Sequence, residues 1–153
     1  MKILKQFGGF IALFFEIVAI IMLFISPAVK SGDNTVGMSG FEAIFGTSGT
    51  FLGVTIKTLF NFLGFLALIL LVVGLIIPLV PMPANFKYLI GAALLLIAGI
   101  LLFVFPGTMM GQIASADPYK LKYAVHTPLI FAGIFTLLGF AVNAVLGFLN
   151  FKK

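Results

Sequence analysis

Four apolar runs dominate this sequence, each close to the length that carries a helix across a bilayer. A membrane-spanning helix needs about 20 consecutive, mostly apolar residues. The runs cover about 7–26, 58–80, 88–105 and 128–149. Pro27, Pro81 and Pro106 follow the first three. Proline cannot donate to the helix ladder and pushes its predecessor out of the helical region, so each marks a stop. The spacing predicts four transmembrane helices. Among 153 residues, 62% are hydrophobic and 8% are charged. A soluble domain carries about 25% charged residues, so a polar shell is out of reach and lipid is the fitting solvent.

The first run has a basic start, Met1-Lys2-Ile3-Leu4-Lys5, as a signal peptide does. Its apolar stretch is longer than the usual 7–15 residues, it contains Glu16, and no A-x-A site follows. It reads as a retained span. The whole chain, 1–153, is then one membrane domain. Outside loops cover about 27–57 and 107–127, and the tight link from Pro81 to Lys87 joins the second and third spans.

Orientation rests on lysine, since the chain has no arginine. With four spans, Lys2, Lys5, Lys87, Lys152 and Lys153 fall on one side and Lys30, Lys57, Lys120 and Lys122 on the other. The α-amino group adds to the first set, which also flanks spans more directly. The positive-inside rule then places both termini in the cytoplasm of a cell. The net charge of +5 reads as topology and contact with anionic headgroups, not as nucleic-acid binding.

Residue types exclude much chemistry. Without cysteine there are no disulfides, thiolate metal sites or Fe–S clusters. One histidine and scattered carboxylates offer no side-chain metal site. No P-loop, GxSxG, HExxH or paired-carboxylate motif is present. No cofactor and no catalytic set is expected.

Glu16 is the most informative residue. It lies about ten residues into the first helix, near mid-bilayer. A carboxylate there costs about 2.5–3.5 kcal/mol on insertion scales, so it should face the bundle interior or carry a proton. Gly8, Gly9, Ala12, Glu16 and Ala19 share one helical face, and small residues let helices approach closely. The site reads either as a proton or cation site or as a hydrogen-bonded acid that joins helices. Asn143 lies at a similar depth in the fourth helix, about 5 Å apart in height at 1.5 Å per residue, inside the stripe Gly139-xxx-Asn143-xxx-Gly147. The two are expected to face each other. A second stripe, Asn61, Gly64, Ala67, Leu71 and Gly74, reads as packing. His126, the Met109-Met110 pair and the tyrosines read as interfacial residues, and Lys120, Lys122 and Asp117 as a solvated loop.

The first outside loop carries the recognition candidates Asn34, Val36, Met38, Phe41, Glu42 and Phe45. Alternation through Val36, Met38 and Gly40 predicts a short strand or hairpin. Phe41 to Phe45 reads as a helical turn on the membrane, and Gly46 to Thr50 as a flexible return. Asp117-Pro118 marks a turn in the second outside loop.

Four spans, cytoplasmic termini, a long first outside loop with strand character and a shorter second one resemble the tetraspan, claudin-like plan. The segment Met38-Ser39-Gly40-Phe41-Glu42-Ala43-Ile44-Phe45-Gly46 resembles small membrane proteins of low-GC bacteria. The claudin signature tryptophans and cysteines are absent, so junction formation is not carried over. Phe7-Gly8-Gly9-Phe10-Ile11-Ala12-Leu13-Phe14-Phe15-Glu16 is similar to the first helix of small multidrug-resistance exporters, whose glutamate exchanges protons for cationic drugs. The expectation is an all-α membrane protein, a four-helix antiparallel bundle with a strand or hairpin in its first outside loop. The expected role is non-enzymatic: a structural, scaffold or accessory subunit contacting lipid and other membrane proteins or itself. The alternative is a small proton-coupled transporter acting through Glu16.

Overall fold

The computed structural model describes residues 2–31, 37–51 and 53–151. Most of them are helical. Four long helices, α1 (Lys2–Phe24), α3 (Phe62–Ile76), α4 (Ala84–Val104) and α5 (Thr127–Phe151), are joined by a short helix α2 (Gly40–Phe45) and seven short strands. The four long helices, α3 together with its 3₁₀ extension to Leu79, are each long and apolar enough to cross a membrane.

The helix ends depart from the apolar runs for local reasons. The second long helix, α3, begins at Phe62, because Asn61 Oδ1 accepts from Gly64 N at 2.8 Å and caps it. It ends at Ile76, where Pro78 forces a 3₁₀ turn over Ile77–Leu79. The third begins at Ala84, directly after Pro83, four residues before Tyr88, and carries Lys87 as a helical residue. Charge marks where a helix leaves lipid, not where it starts.

Helices α4 and α5 form the centre; α1 packs on α5, α3 packs on α4, and α1 barely touches α3. Contact partners fix the directions. Gly8 lies against Leu146 and Glu16 against Gly139, while Phe15 stacks on Phe135, so α1 and α5 run in opposite senses. Gly91 faces Asn143 and Gly99 faces Leu137, which sets α4 against α5 likewise. Gly64 meets Phe105 and Gly74 meets Leu95, which does the same for α3 and α4. In lipid, helices associate through close packing rather than through the hydrophobic effect, and glycine at the contact brings the backbones near.

The connections at one end build a cap of two antiparallel sheets. One has the order β2-β1-β7, from β1 (Val29–Ser31), β2 (Gly37–Met38) and β7 (Tyr123–Val125). The other has the order β3-β4-β5-β6, from β3 (Ser48–Phe51), β4 (Val54–Thr58), β5 (Met110–Ile113) and β6 (Tyr119–Lys120). Val29 pairs with Val125, and Ile56 with Ile113, so both sheets join the two long connections. This corrects two expectations. Residues 48–51 form a strand, not a flexible return, and the second connection contributes three strands. Their patterns are short and become legible only when the partner strand is present. Gly40 opens α2 rather than extending a strand.

Candidate functional site

The bundle interior is polar at one level. Asn143 Nδ2 donates to Glu16 Oε1 at 3.0 Å, and both side chains are fully buried. The structure brings these two residues together. Glu16 sits on the small-residue face of α1 with Gly8, Ala12 and Ala19, all buried. Glycine on the partner helix makes the room: a Cβ at Gly139 would lie 3.2 Å from Glu16 Cγ. Glu16 Oε2 and Asn143 Oδ1 have no protein partner. Both are acceptors when Glu16 is ionised.

The other small-residue positions are contact points. A Cβ at Gly8 would come 2.7 Å from Leu146 Cδ2, one at Gly74 2.8 Å from Leu95 Cδ2, and one at Gly147 2.7 Å from Leu89 Cδ2. At Gly64 it would meet Ile44 and Phe105. Asn61 does more than pack. Besides capping α3, its Nδ2 donates to Phe105 O at 3.3 Å and Thr108 Oγ1 at 3.0 Å, tying the start of α3 to the end of α4. Gly91, Ala98 and Gly99 of α4, and Gly133 of α5, were not singled out from sequence. Their small-residue spacing on α4 and α5 was the available signal.

The loop candidates separate. Asn34 and Val36 lie outside the described residues. Met38 is 4% exposed and joins the core, because β2 pairs with β1 and turns that side chain inward. Met109 is likewise fully buried rather than interfacial, while Met110 is exposed. Glu42 is exposed and closes a capping box: Ser39 N donates to its Oε2 at 2.8 Å, and its own N donates to Ser39 Oγ at 3.2 Å. The Ser39-x-x-Glu42 spacing was the sequence signal for this helix start. Phe41 and Phe45 are exposed beside it, their ring centroids 4.4 Å apart. His126 faces Pro27 O through Nδ1 at 3.2 Å, and its N donates to Ala28 O. It fastens the first connection to the start of α5. Lys120, Lys122 and Asp117 are exposed.

Between the two sheets lies a cavity of about 310 Å³, lined among others by Met38, Glu42, Gly49, Ile56, Leu121 and Tyr123. Gly46 ends α2 just before β3. Its φ is +87°, and a Cβ would lie 2.5 Å from Thr58 O, so only glycine fits.

By its helices the chain is a multi-pass membrane protein. Comparison with protein-family models, curated proteins and solved structures gave no match.

Proposed function

We propose that the chain is a non-enzymatic protein of the cell membrane, a structural, scaffold or accessory subunit of a membrane protein assembly. In this reading the four spans form an antiparallel bundle with both termini in the cytoplasm and the two-sheet cap outside. The observation that carries it is the cap. Strands from both connections pair with each other and enclose a cavity with Glu42 at its edge. A surface assembled from two segments is rigid, and rigidity lowers the ordering cost of binding. The partner is another membrane protein or a second copy of this chain.

The test is purification of the full chain in mild detergent, beside a Gly49→Arg variant. A Cβ at Gly49 meets nothing within 4 Å, so the variant fills the cavity mouth without disturbing the core. A stoichiometric complex that the variant loses supports the reading. A chain that elutes alone, whatever its variant, sinks it. Labelling of Asn34→Cys from outside intact cells checks orientation; no labelling reverses it.

A second reading is favoured by the two unpartnered oxygens at Glu16 and Asn143: proton-coupled transport through Glu16. Glu16→Gln keeps the shape and removes the titrating group. A folded variant that has lost a proton-coupled flux supports transport, and one that behaves as wild type in flux and assembly excludes it.

A further inference from the structure

We propose that α2 is an interfacial anchor whose Phe41–Phe45 face rests at the boundary between headgroups and acyl chains. The proposal rests on the membrane-spanning helices and not on the partner reading above.

Depth is the first argument. Helix α2 is held level with the end turns of three spans. A Cβ at Gly40 would lie 3.0 Å from Leu23 Cδ2, in the final turn of α1. Ile44 packs over Gly64, in the first turn of α3, and Phe105 closes the same site from the end of α4. The Asn61 amide, at the cap of α3, donates to Ile44 O at 2.8 Å. An element fixed at the ends of the spans lies where the hydrocarbon ends.

Chemistry is the second. Gly40, Ala43 and Ile44 face inward and are buried. Phe41 and Phe45 face outward, 37% and 42% exposed. They stand 4.4 Å apart between centroids and continue a ladder of rings, Phe24 to Phe41 at 4.9 Å and Phe45 to Phe60 at 6.3 Å, from α1 towards α3. Phe24 at one end of the ladder and Phe60 at the other are exposed as well, so the rings form one continuous apolar surface at the ends of the spans. The charged residue of α2, Glu42, is turned to the cavity and engaged by Ser39. Glu42 flanks these rings on the exposed side of α2, at the cavity, and aromatic rings concentrate at the boundary between lipid and water. Because α1 barely touches α3, α2 also closes their seam at this level.

The chain has no tryptophan, so one introduced at a time is an unambiguous reporter. Phe41→Trp and Phe45→Trp variants of the full chain are reconstituted in phosphatidylcholine vesicles. Phe14→Trp, exposed in mid-span, and Val54→Trp, exposed on β4, serve as references. The expected result is a blue-shifted emission relative to Val54→Trp, with stronger quenching by lipids brominated near the carbonyl end than by those brominated near the chain end. Phe14→Trp should show the reverse preference. Acrylamide quenching of both α2 variants to the level of Val54→Trp overturns the proposal, because the face then meets water. Shielding from both quenchers also overturns it, because a second copy then covers the face. Agreement between positions 41 and 45 guards against a local rearrangement at either one.

Discussion

Truncating Asn143 to alanine should strand a fully buried carboxyl group. Asn143 Nδ2 is the side-chain donor to Glu16 Oε1, at 3.0 Å, and Oε2 has none. Asn143→Ala leaves both oxygens bare at the centre of the bundle, and a buried polar group without its partner costs about 1–3 kcal/mol. Glu16→Ala strands the amide in the same way. The double variant removes both polar groups, so the two single penalties should not add. Interhelical polar pairs in membranes couple by about 0.6 kcal/mol on average and about 1.7 kcal/mol at most. The fully buried pair belongs in that range, at the upper end if its stranded atoms find no water. The assay is a double-mutant cycle on purified protein in mixed micelles. Unfolding is driven by sodium dodecyl sulfate and followed by near-ultraviolet circular dichroism of the tyrosines. A coupling below about 0.3 kcal/mol, the scatter expected of independent sites, refutes the claim that this pair joins α1 to α5.

Four further predictions use the same measurement or hydrogen exchange. Gly147→Ala places a Cβ 2.7 Å from Leu89 Cδ2 and 3.3 Å from Leu89 N, so overpacking should cost about 1–3 kcal/mol. Gly107→Ala, with nothing within 4 Å, should stay within about 0.5 kcal/mol of wild type; equal effects at both sites would contradict the packing account. Ser39→Ala removes the capping box of α2 and should cost about 1 kcal/mol, read as faster amide exchange over 40–45 with the spans unchanged. Asn61→Ala should cost about 1–3 kcal/mol, since it uncaps α3 and removes the side-chain link from Asn61 to Thr108; exchange confined to the cap and not to the start of α3 would be the wrong pattern.

What could be read from sequence was what periodicity and solvent force. Lipid satisfies no backbone group, so each spanning segment closes its own hydrogen bonds and announces itself by length. Glu16 and Asn143 stood out because a polar side chain at mid-bilayer must point inward, and two helices of known rise can be compared in depth. Helix ends were less legible, because caps and prolines such as Asn61 and Pro78 override apolarity.

The four spans were therefore determined by the sequence alone, and the tertiary structure decided how their ends are covered. Strands of two to five residues carry little local preference. Val29 pairs with Val125 and Ile56 with Ile113 only because the bundle brings the two connections to one end. The same folding buries Met38 and Met109, which composition cannot distinguish from exposed methionine, and leaves Phe41 and Phe45 outside. Burial in a cap depends on which partner strand arrives, and that is long-range information. Crossing a bilayer depends on length and apolarity, which every segment carries within itself.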